Sequence, residues 1–75
     1  MLPDEFIVGV DIGGTKILAA VADSHGKLLA RKNIPTQANA GPQIGTQRIL
    51  LAIKQVCQQA NIPSIGSLRG IGIAI

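Results

Sequence analysis

The residues best suited to chemistry lie in one short segment, from Val10 to Lys16. The carboxylate of Asp11 follows an apolar run, and a glycine pair, a hydroxyl and an ammonium group come after it. Glycines let a backbone approach an anion closely, while Thr15 and Lys16 can add a hydrogen bond and a positive charge. Asp11 would repel a phosphate unless a divalent cation lay between them, and Mg²⁺ commonly bridges a carboxylate to phosphates in this way. The segment therefore predicts a site for a magnesium nucleotide.

A plain hairpin turn would explain the same residues. Gly13 and Gly14 would then form the turn, Asp11 would initiate it, and Lys16 would be a solvated charge. The segment also matches neither of the commoner phosphate-binding patterns, because the chain contains no G-x-G-x-x-G opening a helix and no G-x-x-x-x-G-K-S/T. Residue types and spacing by themselves leave both interpretations open.

The flanking residues predict three strands that would hold this segment. Residues 6–10 and 17–22 are apolar runs on either side of the glycine pair, which is typical of strands covered on both faces, and we expect the first of them to be central. Residues 23–26 favour a tight turn that reverses the direction of the chain between two strands. A third strand is predicted at residues 28–34, where two charged residues indicate a sheet edge.

A helix and a fourth strand complete the predicted α/β fold. Residues 36–41 are polar and predict a loop, after which Pro42 suits the first turn of a helix. Asn61 followed by Pro63 ends that helix, and residues 70–75 form an apolar strand that we expect to be buried and parallel to the first. The apolar stripe of the helix consists of Ile49, Ile53, Val56, Cys57 and Ala60.

Composition argues against several classes of function. With 75 residues, the chain is too short for a two-domain enzyme. The net charge of +3 would suit a nucleic-acid binder, but the seven Lys and Arg residues are scattered and the single aromatic residue cannot interleave with them. No apolar run is as long as a membrane span, and the N-terminus lacks the basic region of a signal peptide. We therefore expect a cytoplasmic protein without nucleic-acid or membrane partners.

The other chemically capable side chains do not indicate a catalytic site. Cys57 falls on the apolar stripe of the helix, which indicates a structural role. His25 has no second metal ligand at useful spacing, so we expect an exposed turn residue. Asp23 is expected in the same turn, and Asp4 and Glu5 are expected to form a solvated tail. None of these carboxylates is a good candidate for a general base.

A longer string of residues resembles the N-terminus of bacterial ROK glucokinases and related hexose kinases, within the actin, Hsp70 and hexokinase superfamily. The resemblance covers nearly the whole chain. Its residues are Gly9-Val10-Asp11-Ile12-Gly13-Gly14-Thr15-Lys16, then Ala20 to Asp23, Gly26 to Leu29, Pro35-Thr36 and Gly70 to Ile73.

The resemblance implies a role for each residue of the glycine segment. It implies a ribonuclease H-like (actin-like ATPase) half-lobe, with ATP bound in a cleft between two lobes of the whole protein. Asp11 would hold Mg²⁺ through water, and the hairpin containing Gly13, Gly14, Thr15 and Lys16 would bind the β- and γ-phosphates. The implied reaction is transfer of the γ-phosphate of ATP to glucose or a related hexose.

The resemblance also implies that catalysis needs residues outside this chain. The catalytic base, the sugar-contacting residues and a Cys/His zinc site of the family would follow Ile75, so no catalytic residue is assigned here. The chain stops within an apolar run, which is typical of a fragment. We expect residues 1–75 to be a single partial domain, the N-terminal phosphate-binding lobe of a longer kinase, and we expect a homo-oligomer.

Two other functions are open to a chain of this fold. A ROK-type transcriptional repressor would use sugar binding to control an added DNA-binding domain. Against it, the first strand begins within about ten residues of Met1, which leaves no room for a preceding helix-turn-helix. The glycine pair and Lys16 are also intact, whereas repressors that resemble this family often lose them. A non-catalytic structural module with an actin-like core would be distinguished from a kinase by its lack of sugar-dependent ATP turnover.

Overall fold

The computed structural model describes residues 5–75, and the expectation for Asp4 lies outside them. Three strands come first, followed by a helix and a fourth strand. The elements are β1 (Phe6–Ile12), β2 (Lys16–Asp23), β3 (Leu28–Pro35), a 3₁₀ helix (Ala38–Ala40), α1 (Pro42–Gln59), a second 3₁₀ helix (Ile65–Ser67) and β4 (Leu68–Ala74). The predicted strands and helix are therefore present, and the first 3₁₀ helix lies in the segment predicted as a loop.

The four strands form one sheet in the order β3-β2-β1-β4. β1 pairs antiparallel with β2, β2 pairs antiparallel with β3, and β4 lies parallel to β1. This confirms the predicted ribonuclease H-like half-lobe of three antiparallel strands, one helix and one parallel strand. β1 is an interior strand, as predicted, and β3 is an edge strand on which Arg31 and Lys32 are exposed.

The core lies between α1 and one face of the sheet. Both interior strands bury every second residue, such as Val8 and Val10 in β1, and α1 packs mainly over β2 and β3. The prediction that β1 is covered on both faces is wrong for this chain, since Ile7 on the opposite face is 52% exposed. Within residues 5–75, no helix combines the length and the apolar character needed to cross a membrane.

The end of α1 follows the pattern that its sequence predicts. Asn61 adopts a left-handed backbone conformation with φ 60°. Its N–H donates to the carbonyl of Gln58 at 3.1 Å, and the N–H of Ile62 donates to the carbonyl of Cys57 at 2.9 Å. These are the two bonds of a Schellman motif, in which a buried residue such as Ile62 commonly packs against the last turn. Cys57 itself is buried in the core, as its place on the apolar stripe of α1 predicts.

The last strand is an exposed edge strand, which corrects the prediction that it is buried. Among residues 5–75, β4 pairs with β1 alone. The register places Ile71 beside Val8 and Ile73 beside Val10, on the face that carries α1. The two isoleucines are nevertheless 43% and 55% exposed, because α1 lies over the opposite half of the sheet.

We expect this 75-residue chain to self-associate in solution. The outer edge of β4 presents backbone hydrogen-bonding groups beside the exposed Ile73, a combination that favours strand pairing between copies. Light scattering should therefore detect dimers or larger species. Ile73→Lys should reduce association, and the matched Leu28→Lys change at the other edge of the sheet should reduce it less, because that edge already carries charge. A well-folded monomer over a wide concentration range would show that the expectation is wrong.

Candidate functional site

The glycine segment forms the hairpin between β1 and β2, and it brings all five predicted site residues together. Ile12 pairs with Ile17 at the last rung of the ladder. The N–H of Gly13 then donates to the carbonyl of Lys16 at 2.9 Å, which closes the turn. Lys16 is the first residue of β2, and Asp11 is the last but one of β1. The site residues Asp11, Gly13, Gly14, Thr15 and Lys16 are all exposed.

The carboxylate of Asp11 lies on the face of the sheet opposite α1. Asp11 alternates with the buried Val10, so its side chain faces the uncovered side. There it borders a shallow concavity of about 500 Å³ whose other lining residues include Gly9, Ala20 and Gly72. Gly9 and Gly72 have no side chain and that of Ala20 is a methyl group, while Leu18 and Ile73 also line the concavity, so the surface beside the carboxylate is shallow and largely apolar.

The two hairpin glycines differ in what surrounds them. A Cβ atom on Gly14 would have no atom within 4 Å, whereas one on Gly13 would lie 3.1 Å from the carbonyl oxygen of Lys16. Neither glycine has positive φ, since the described glycines with positive φ are Gly26 and Gly41. A side chain at Gly13 would thus crowd the closure of the turn, whereas Gly14 leaves open space beside the backbone.

The charged groups of the hairpin are available to a ligand. Within residues 5–75, the salt bridge that is present joins Arg69 to Glu5 at 3.7 Å, so it engages neither Asp11 nor Lys16. Glu5 is half-buried and paired, which corrects its assignment to a solvated tail. No three His, Cys, Asp or Glu side chains of the described part of the chain are grouped closely enough to hold a metal ion. Asp11 would therefore be a single carboxylate near Mg²⁺, which suits an ion that keeps several waters and is also bound by phosphates.

Sequence patterns do not predict two residues near the site: Thr36, which contacts the hairpin, and Arg48, which contacts Pro35 at the end of β3. Thr36 lies in the predicted loop, and its hydroxyl donates to the carbonyl of Gly13 at 2.9 Å. Its backbone N–H donates to the carbonyl of Thr15, also at 2.9 Å. Arg48, on α1, donates to the carbonyl of Pro35 through Nε at 3.0 Å and Nη2 at 2.9 Å. The available signal was the Pro35-Thr36 pair within the family resemblance, and no pattern indicated Arg48.

The turn at the other end of β2 has a structural role. One carboxylate oxygen of Asp23 accepts hydrogen bonds from the backbone N–H groups of His25 at 2.9 Å and Lys27 at 3.0 Å. These bonds, that from Lys27 foremost, lower the pKa of Asp23 below its ordinary value, since they favour the charged carboxylate. Asp23 is therefore a turn residue, as predicted, and His25 is exposed in the same turn.

A second concavity, of about 460 Å³, lies beside the C-terminal end of α1 and carries no comparable chemistry. Its lining includes Cys57, Ile62 and Pro63, and it contains no carboxylate. Burial raises the pKa of the Cys57 thiol, so the reactive thiolate is disfavoured. The hairpin is therefore the better candidate for the functional site.

Comparison with known proteins gives one family and a consistent set of relatives. The sequence profile of the ROK family matches residues 7–75. An N-acetylmannosamine kinase from Shigella boydii is 32% identical over 65 residues, which make up 83% of this chain and 22% of that protein. The N-acetylmannosamine kinase from Escherichia fergusonii is 31% identical with the same coverage. The crystal structure of a ROK hexokinase from Thermus thermophilus has a TM-score of 0.73 and 31% identity, covering 91% of this chain and 22% of that one.

Proposed function

Because the chain belongs to the ROK family, we propose that it is the N-terminal phosphate-binding lobe of a longer ATP-dependent sugar kinase. The observation that carries the proposal is the β1–β2 hairpin, where an exposed carboxylate, an open glycine and an exposed ammonium group lie together. The relatives support a sugar as the phosphate acceptor, since they are named as N-acetylmannosamine kinases and a hexokinase. This chain spans 22% of their length, so the catalytic base and the sugar pocket would lie in the remainder of the protein.

In this proposal, each hairpin residue binds or orients the nucleotide. Asp11 would hold Mg²⁺ through water, and the ion would neutralise part of the phosphate charge. Gly13 and Gly14 would let the backbone approach the β- and γ-phosphates closely, with backbone N–H groups as donors. Thr15 would add a hydroxyl donor and Lys16 a positive charge. The contribution of this lobe is therefore positioning and electrostatic stabilisation, which are the main sources of rate enhancement in phosphoryl transfer.

We propose a hexose, such as glucose or a related sugar, as the substrate. The intact hairpin favours a kinase over a repressor, since a repressor that responds to a sugar does not need a nucleotide site with free Asp11 and Lys16 side chains. A structural module with an actin-like core could also bind a nucleotide, so sugar-dependent ATP turnover is what distinguishes it from a kinase. The cytoplasmic location, the homo-oligomeric state of the whole protein and a zinc site in its remainder stay predictions of the sequence.

The experiment is a phosphorylation assay on the full-length protein that contains this chain. With Mg-ATP and a panel of glucose, N-acetylglucosamine and N-acetylmannosamine, we expect ADP release that depends on one of the sugars, a sugar phosphate detectable by mass spectrometry, and no activity in the presence of EDTA. The 75-residue chain alone should show only background activity, because it cannot position both substrates.

The same assay distinguishes the alternatives. Sugar binding without phosphate transfer would favour the repressor. ATP binding or hydrolysis that is independent of every sugar would favour the structural module. Either result would overturn the kinase proposal.

A further inference from the structure

Thr36 makes two hydrogen bonds to the candidate phosphate loop from the end of β3. Among the polar and charged residues within 5–75, Thr36 alone is classed as buried, with 8% of its surface exposed. Its hydroxyl donates to the carbonyl of Gly13, which lies 23 positions earlier in the chain, and its N–H donates to the carbonyl of Thr15. A single residue that directly follows β3 thus binds two of the carbonyl groups in the hairpin.

These bonds fix which groups the hairpin can offer to a ligand. The described peptide bonds are all trans, so each carbonyl points away from the N–H of the following residue. Because the carbonyls of Gly13 and Thr15 point toward Thr36, the N–H groups of Gly14 and Lys16 face away from it. Carbonyl oxygens repel phosphates and N–H groups bind them. The orientation set by Thr36 therefore turns two acceptors toward Thr36 and leaves two donors directed away from it.

The position of Thr36 is itself fixed from two sides. Pro35, the preceding residue, pairs with Lys16 at the end of the β2–β3 ladder. The carbonyl of Pro35 also accepts both hydrogen bonds from Arg48, which ties this point of β3 to α1. Hydrogen bonds from a guanidinium are charge-assisted, and two bonds from one guanidinium restrict the orientation of the side chain relative to the carbonyl. The backbone torsion φ of Pro35 is restricted by its ring. Thr36 is thus held between the hairpin and the helix.

We propose that Thr36 is a positioning residue of the nucleotide site, which sets the orientation of the Gly13–Gly14 and Thr15–Lys16 peptide groups for phosphate binding. The proposal rests on the proposed function and deepens it, since Thr36 acts through the hairpin. Only the bond to the Gly13 carbonyl depends on the hydroxyl, because any residue other than proline could supply the backbone N–H bonded to Thr15.

The test compares variants at Thr36 in the full-length protein. Thr36→Val keeps the shape of the side chain but leaves the Gly13 carbonyl without its donor, so the KM for ATP should rise about tenfold. The KM for the sugar should not change. Thr36→Ser retains the hydroxyl and should restore the wild-type KM for ATP. The matched control is Thr46→Val, since the Thr46 hydroxyl donates at 3.2 Å to the carbonyl of Pro42 within α1.

A second measurement does not depend on activity. Hydrogen exchange of the Gly13 N–H, which bonds to the Lys16 carbonyl, should be faster in Thr36→Val and unchanged in Thr36→Ser and Thr46→Val. If Thr36→Val does not fold, Thr36→Ser and Thr36→Ala give the same comparison, because they differ only by the hydroxyl.

The outcomes separate this inference from the proposed function. A wild-type protein without sugar kinase activity would refute the proposed function, and hydrogen exchange would still test whether Thr36 orders the hairpin. An active wild-type protein whose Thr36→Val variant keeps both its KM for ATP and its exchange rate would overturn the role of Thr36. An equal rise in the KM for ATP in Thr36→Ser would overturn it as well, since the hydroxyl would then not be the group responsible.

Discussion

The full-length protein carrying Asp11→Asn is expected to phosphorylate its sugar on the order of 100-fold more slowly than the wild type, with its fold intact. The substitution keeps the size of the side chain and removes the negative charge that would hold Mg²⁺ through water. Asp11 is exposed on the uncovered face of the sheet and forms no salt bridge within the described residues, so its charge contributes little to folding. Steady-state rates measured over a range of Mg²⁺ concentrations would test this, and the variant should need more Mg²⁺ than the wild type.

Asp23→Asn is the matched control for Asp11→Asn. It removes the same charge from the turn at the other end of β2, where an asparagine side chain can still accept the two backbone hydrogen bonds. We expect near wild-type rates and an unchanged Mg²⁺ dependence. If a folded Asp11→Asn protein kept the wild-type rate at low Mg²⁺, the role assigned to Asp11 would be wrong.

The second large effect is expected at Gly14, where Gly14→Val should weaken ATP binding on the order of 100-fold, equivalent to ~2.8 kcal/mol. The branched side chain would occupy the space that the proposal assigns to a phosphate. A Cβ at Gly14 meets no atom within 4 Å, so thermal stability should not fall. Isothermal titration calorimetry with Mg-ATP gives the dissociation constant, and a thermal melt of the same sample checks the fold.

Two further glycine variants test whether the loss of ATP affinity is specific to Gly14. Gly13→Val should lower both ATP affinity and thermal stability, because its Cβ would lie 3.1 Å from the Lys16 carbonyl and the turn would have to shift. Gly45→Val places the same side chain on α1, where a Cβ meets nothing within 4 Å, and should leave ATP affinity unchanged. Unchanged affinity in Gly14→Val would instead support the interpretation of the segment as a plain hairpin turn.

Local patterns in the sequence predicted the elements of the fold well. The apolar runs, the reversal at Asp23 and the left-handed residue Asn61 each depend on neighbours within a few positions, so a pattern can indicate them. Which faces become covered depends on where α1 lies. The residues Ile71 and Ile73 belong to an uninterrupted apolar run, but their exposure follows from the placement of α1 over β2 and β3. No spacing within β4 contains that information.

The candidate site was predictable to the extent that its residues are contiguous. Asp11 to Lys16 needed only the prediction of a hairpin to be brought together. The contact between Thr36 and Gly13 joins residues 23 positions apart, and the contact between Arg48 and Pro35 joins residues 13 positions apart. Such bonds depend on the register of β3 and on the rotation of α1 about its axis, which the amphipathic pattern indicates too coarsely to select one hydrogen bond.

The parallel pairing of β4 with β1 also has a consequence for the order in which this chain folds. β1, β2 and β3 are joined by short turns, and α1 follows directly, so their contacts close small loops. Val8 and Ile71 are neighbours in the sheet although most of the chain lies between them. Closing a long loop costs more conformational entropy, and contacts distant in sequence form more slowly. We therefore expect β1, β2, β3 and α1 to form the folding nucleus, and β4 to dock last and to be the first strand to detach.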